Sequence, residues 1–371
     1  MLFATRSSAG VAAPAGETTA NARKANAAIR TRRIAARRMR FPSVEVVRSR
    51  PSRSCGVGRA MTPHRDGNRA MTRFCRRNET NRALSLSRRL MCYGNFAANR
   101  GFPRDLSEMP SPSQRLTELA ALAHEAGAIV MRHYEAGTTA RKKADHSPVT
   151  DADEEAEAHI LRGLRDVAPG VPVIAEEEVA AGRSPAIGNR FFLVDPLDGT
   201  KEFINRNGEF TVNIAEVENG IAIRGVVYAP AKHRLFLGET PGGAFEIETG
   251  VNALPDVAQA RPIHVRKAPA DGLISVASRS HRDQKTEEYL AAYPVKDFIT
   301  AGSSLKFCLV AAGEADIYPR HGTTMEWDTA AGHAVLTAAG GTVTNLDGSP
   351  FLYGRAATGF TNPHFVARGG R

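Results

Sequence analysis

The sequence predicts an α+β first half, with helices on an antiparallel sheet, that passes into an α/β second half. Three observations carry this prediction. Apolar residues recur at helical spacing over 114–133, short β-rich runs follow one another between 171 and 238, and strand and helix signals alternate after Pro262.

In the first stretch Leu116, Leu119, Leu122, Ala123, Ala126, Ile129 and Val130 fall on one helical face, with Ser113 as cap and Gly137 as stop. A polar loop, RKKADHSPVT, leads to a second helix from Asp151 to about Val167, which ends before Pro169-Gly170. Strands are expected at Val171–Ala175, Phe191–Val194, Phe210–Val217, Ile221–Tyr228 and Arg234–Gly238. Asn219-Gly220 between two of them is a strong hairpin signal. In the second half Leu273–Ala277, Asp297–Thr300, Ala315–Tyr318 and Thr342–Asn345 read as strands. Ser303–Ala312, stopped by Gly313, and Thr329–Ala339, stopped by Gly340-Gly341, read as helices.

Charge divides the chain more sharply than length does. The whole chain of 371 residues carries +10, but residues 1–108 hold 22 Arg and one Lys against six acids, a net of +17. Residues 109–371 hold 26 basic and 33 acidic residues, a net of −7, so the body is mildly acidic. The Arg-rich segment shows no sustained period and too little apolar surface to offset chain entropy, so it is expected to be disordered. Three readings stand for it: a nucleic-acid or anionic-lipid binder, an organelle transit segment, or an upstream extension with initiation at Met91 or Met109. The third is preferred because organised sequence starts abruptly near Ser111. The body is divided into 109–245 and 246–371. Its one cysteine, Cys308, allows no internal disulfide and suits a reducing compartment. No run of about 18 apolar residues appears, so no membrane-spanning helix is expected.

Four elements bear chemistry. In Val194-Asp195-Pro196-Leu197-Asp198-Gly199-Thr200 an apolar strand delivers two carboxylates and then a helix start. Hard Mg²⁺ takes such oxygen ligands, and the N–H groups of Gly199 and Thr200 suit an anion. A plain Asp-Gly turn is the bland alternative. Glu176-Glu177-Glu178 follows an apolar strand, and reads either as a cation site or as a solvated face. Asp328 stands before a small-residue helix, where an N-cap would also explain it. Thr150 and Asp153 fit a capping box, which alone could explain both.

Together, Glu-Glu after a strand, DPLDGT, WDTAAGH and SPVT-x-A-D resemble the lithium-sensitive, magnesium-dependent phosphatases of the inositol monophosphatase superfamily. LVDPLDGTKEFINRNGEFTVNIA, GVVYAP, SRSH and GSSLKFCLVAAGEADIYPR narrow the resemblance to its 3′(2′),5′-bisphosphate nucleotidases. It covers about residues 112–370 and implies a layered α-β-α-β-α sandwich. It implies that Glu176, Asp195, Asp198, Asp328 and the main-chain oxygen of Leu197 bind two or three Mg²⁺ ions. Thr200 and Asp153 would activate the attacking water, with Glu176 part of the same catalytic set. Gly199 and Thr200 would cradle the phosphate, which Glu176, Leu197, Asp198 and Asp328 also face. Asp145 would lie on a loop that closes near the metals.

Ser278, His281, Ser303, Lys306 and Arg320 match the stretch that holds the nucleoside and its second phosphate. Surface solvation is the alternative for Lys306 and Arg320, and His321 and His333 are read as structural. Asp151 is an extra acid beside the site, either tuning the metals or facing solvent. The implied reaction is hydrolysis of adenosine 3′,5′-bisphosphate to AMP, with its sulfated relative as a further substrate, in support of sulfate assimilation. Inhibition by Li⁺ and Ca²⁺ is implied too. Cations relieve the repulsion between water and a phosphate dianion, so no covalent nucleophile is needed. An inositol or fructose bisphosphate phosphatase is the alternative within the class. A nucleic-acid binder led by the basic segment is the alternative outside it, and the acidic body argues against nucleic acid. The resemblance implies a cytoplasmic location and leaves peripheral association with the inner membrane face open. The sequence does not give the oligomeric state.

Overall fold

The computed structural model describes residues 111–137, 139–142, 148–278 and 284–370. The Arg-rich stretch over 1–108 and Asp145 lie outside them, as do His281 and the side chain of Ser278.

Helix α1 (Gln114–Ala136) starts where the Ser113 hydroxyl accepts the Leu116 N–H and stops at Gly137, whose φ of 76° few other residues adopt. After a short ribbon, β1 (Arg141–Lys142) with β2 (Pro148–Val149), helix α2 (Asp151–Val167) opens on a complete capping box. The Asp153 carboxylate accepts both the N–H and the hydroxyl of Thr150, each at 2.7 Å.

Seven strands then pair in sequence order: β3 (Val173–Ala175), β4 (Arg190–Asp198), β5 (Thr211–Glu218), β6 (Ile221–Ala229), β7 (Arg234–Glu239), β8 (Gly243–Glu248) and β9 (Arg261–Ile263). The β3–β4 pair is parallel and every later one antiparallel. Asn219 and Gly220 turn β5 into β6 with φ of 53° and 80°, the two positive angles a tight hairpin demands. Side chains alternate across this sheet. Phe192, Val194, Ile214, Val226 and Tyr228 join α1 and α2, while Phe191, Leu193, Ala215, Val217 and Val227 face the other way.

That second face meets helices α6 (Leu305–Ala311) and α7 (Glu326–Ala338), which a second sheet covers in turn. Its five strands run β11 (Val295–Ala301), β10 (Leu273–Ser278), β12 (Ile317–Arg320), β14 (Phe365–Arg368) and β13 (Thr342–Asn345). Helix α5 (Gln284–Leu290) closes the outside, with Leu290 against Ile317 and Val366. The layers are therefore α-β-α-β-α. Among the described residues no helix is long and apolar enough to cross a membrane.

Helix α7 lies almost on the backbone of the large sheet. A Cβ on Gly225 would stand 2.2 Å from the Ala331 carbonyl oxygen, and one on Gly238 would stand 2.5 Å from the Val335 Cα. We expect Gly225→Ala to lower the chemical-denaturation midpoint by an overpacking cost of about 3 kcal/mol. An unchanged midpoint would show that α7 can retreat freely.

Two expected helix starts need correction. Helix α6 begins at Leu305 rather than Ser303, because Ser303 has φ 44° and cannot join a right-handed turn. Asp328 does not precede its helix. Met325 is the N-cap, and Asp328 sits in the first turn, accepting the Met325 N–H at 2.8 Å. The extra turn forms because the buried Glu326 finds partners in the N–H groups of Gly354 and Arg355.

Candidate active site

The site begins with an irregularity in β4. Asp195 pairs with Asn213 and Asp198 with Thr211, so β4 carries one residue more than its partner. Pro196, which has no N–H to lose, sits in this bulge, and Asp195 accepts the Leu197 N–H at 3.0 Å. Gly199 then turns the chain with φ 91° into the short helix α4 (Thr200–Ile204).

One cavity of about 350 Å³ collects side chains from all over the chain. Glu176, Asp198, Gly199, Thr200, Ser303, Lys306, Arg320 and Asp328 line it. Glu176 opens α3 (Glu176–Ala180) directly after β3. Asp195 and Leu197 are buried just beneath the turn and do not line the cavity. The Leu197 carbonyl lies 3.3 Å from the Thr200 hydroxyl. Asp153 is also buried, and its second oxygen lies 3.3 Å from the same hydroxyl.

Asp198 and Asp328 are tied together through Ser304. The Ser304 N–H donates to Asp198 Oδ2 at 2.6 Å, and its hydroxyl donates to the Asp328 carbonyl at 2.5 Å. Asn213 donates to the same Asp198 oxygen at 3.3 Å. Burial pushes the Asp198 carboxyl up to about 6, against the pull of Lys306 and the Ser304 N–H. Burial, and then the negative charge of Asp198, holds Asp328 well above the usual carboxylate range. Lys306 is brought down to about 8 by burial, although Asp198 favours its charge. Its Nζ donates to the Ser303 carbonyl at 2.6 Å and lies 5.5 Å from the Tyr318 ring centre. Arg320 reaches the Thr323 carbonyl at 3.4 Å, and its buried Nε has no hydrogen-bond partner among the described residues.

A profile of the inositol monophosphatase family matches residues 112–365. This chain belongs to that family. The 3′(2′),5′-bisphosphate nucleotidase CysQ of Escherichia coli K12 is 46% identical over 253 residues, covering 67% of this chain and 98% of that protein. The protein of the same name from Buchnera aphidicola is 40% identical over 255 residues, covering 68% of this chain and 92% of its own. Among solved structures, CysQ from Bacteroides thetaiotaomicron superposes with a TM-score of 0.59 at 38% identity, covering 70% of this chain and 98% of that one.

The donor set of this family member suits a hard divalent cation. Glu176, Asp198 and Asp328 offer only oxygens, and each of the two half-buried aspartates feels the charge of Glu176. Carboxylates gathered in this way stay ionised at neutral pH when cations sit among them. Among the described residues no group of three or more acidic, His or Cys side chains stands close enough together to hold a metal ion by itself. Mg²⁺ needs none, since one or two carboxylates, water and phosphate oxygens complete its octahedron.

Other residues fall outside the centre. Asp151 points to solvent with a side chain 68% exposed and pairs with Arg141 at 2.8 Å. His333 is half-buried against the Tyr353 hydroxyl at 2.9 Å, and Cys308 is a core residue of α6. Sequence reasoning passed over Thr323 and Thr324 and gave no role to Lys201 and Glu202 of the DPLDGTKEF run, all of which also line the cavity. It also passed over Asn213. A polar Asn between Val212 and Ile214 was the one available signal for it.

Proposed function

We propose that this chain is a magnesium-dependent 3′(2′),5′-bisphosphate nucleotidase that releases phosphate from adenosine 3′,5′-bisphosphate and leaves AMP. The observation that carries the reading is a cavity lined both by the carboxylates Glu176, Asp198 and Asp328 and by the cations Lys306 and Arg320. A phosphomonoester needs only the carboxylates and the cations they would hold. A bisphosphate brings a second anion that needs a positive partner of its own, and the orphaned Arg320 Nε supplies a donor for it. The relatives' names point to the same substrate class.

Glu176, Asp195, Asp198, Asp328 and the Leu197 carbonyl would hold two or three Mg²⁺ ions. When bound, the ions neutralise the phosphoryl charge and make water a better nucleophile. The protein's own part is proton transfer and orientation. The Thr200 hydroxyl takes a proton from the attacking water as it passes its own to Asp153, 3.3 Å away. Thr150 holds the other Asp153 oxygen still. The Gly199 and Thr200 N–H groups turn toward the phosphoryl oxygens. Lys306, Arg320 and Ser303 hold the retained phosphate, and the resemblance assigns Ser278 and His281 to the nucleoside.

Phosphate release across a panel tests the reading. Adenosine 3′,5′-bisphosphate should give the highest kcat/KM, ahead of AMP, inositol 1-phosphate and fructose 1,6-bisphosphate. Arg320→Met should cut that value by about 10²-fold, the loss of a charge-assisted hydrogen bond of roughly 3 kcal/mol. Preference for inositol 1-phosphate would defeat the assignment.

A further inference from the structure

Helix α3 is five residues long, starts at Glu176 and has no side-chain cap, because its N-cap is Ala175. The first N–H groups of any helix lack partners inside it, and here Glu176, Glu177 and Glu178 are half-buried. The partner comes from another element. Glu157 on α2 is 3% exposed, and its two carboxylate oxygens accept the Glu177 N–H at 2.8 Å and the Glu178 N–H at 2.9 Å.

Burying a carboxylate is costly unless both oxygens are satisfied, so this arrangement is built rather than incidental. The Glu177 N–H belongs to the peptide unit that joins Glu176 to Glu177. Holding that unit fixes the ψ angle of Glu176 and so the direction in which its side chain leaves the backbone. Glu157 lies one helical turn beyond Asp153, on the same face of α2. One rigid helix thus grips the DGT turn through Asp153 and the start of α3 through Glu157.

We infer that Glu157 is a positioning residue that aims Glu176 into the cavity and so sets metal affinity, without touching metal or substrate itself. The inference rests on the proposed role of Glu176 as a metal ligand. Partners that orient ligands in this way typically change metal affinity by about 10–100-fold when removed.

The test measures metal binding apart from turnover. Mn²⁺ binding is followed by electron paramagnetic resonance, alongside Mg²⁺ titration of the fluorescence of Trp327, the only tryptophan in the chain. Glu157→Ala should weaken Mn²⁺ binding at least tenfold while the nucleotide KM at saturating Mg²⁺ stays near wild type, and high Mg²⁺ should recover most of kcat. Glu157→Gln keeps one acceptor and a similar volume, so it should fall between the two and serves if the alanine variant does not fold. Wild-type metal affinity in a folded Glu157→Gln or Glu157→Ala protein, with only the melting temperature lowered, would overturn the inference. Glu176→Gln is the control. If it binds Mn²⁺ like wild type, Glu176 is no ligand and the reading beneath the inference falls separately.

Discussion

Asp198→Asn should abolish phosphate release without unfolding the protein. The substitution keeps the size of the side chain and an oxygen for the Ser304 N–H and the Asn213 amide. It removes the negative charge at the centre of the cavity. Several kcal/mol of charge stabilisation depend on cations held there, and each 1.36 kcal/mol is a factor of ten, so kcat should fall by about 10³-fold or more. Stability should move the other way. The Asp198 carboxyl titrates near 6 in the folded, metal-free protein, above the ordinary 3.8. A raised carboxyl contributes stability in full below its unfolded pKa and loses it as pH rises through the folded value. At pH 8 without metal the wild type therefore bears a burden on the order of 2–3 kcal/mol that the variant lacks. In chelator at pH 8 the variant should melt at or above the wild-type temperature, and at pH 4 the gap should close. Wild-type turnover would refute the metal role, and a variant that melts far lower in chelator would mean that inactivity reflects unfolding.

Local signals served well wherever the chain decides its own conformation. The Ser113 cap, the Thr150–Asp153 box and the Asn219-Gly220 hairpin form as their side chains and φ angles require. What escaped depends on distant partners. β8 follows Pro241-Gly242, which reads as turn, and exists because β7 and β9 flank it. β14 becomes a strand by pairing with β12 and β13. The start of α7 was misplaced because Glu326 looks like a surface residue until the loop at Gly354 covers it. At the site, DPLDGT marks Asp198 and Thr200 within six residues, so their proximity could be read directly. The grouping of Glu176, Asp198 and Asp328 could be reached only through resemblance, because nothing local relates β3 to α7. Glu157 carried no signal beyond its spacing from Asp153, and a lone Glu on a helix is ordinarily a solvated one.

Thr200→Ala, Asp153→Asn and the double variant should all lose kcat by similar amounts, about 10²–10⁴-fold. The two side chains form one proton path. The Thr200 hydroxyl can accept a proton from water only as it surrenders its own, and the Asp153 oxygen 3.3 Å away is the base within reach. The Leu197 carbonyl, at the same distance, cannot take that proton. With the threonine gone, Asp153 is buried beneath the turn with no relay to the water. With the aspartate neutral, the hydroxyl has nowhere to send its proton. Either change breaks the whole path, so the losses should not add. Structure predicts a difference in stability instead. Asp153 also completes the cap of α2 through Thr150, so Asp153→Asn should lower the melting temperature by an amount matching a weakened cap of about 1 kcal/mol. Thr200→Ala should barely move it, since among the described residues that hydroxyl makes only two long contacts. Losses that multiply in the double variant would mean that Thr200 and Asp153 act independently and that the proton leaves by another route.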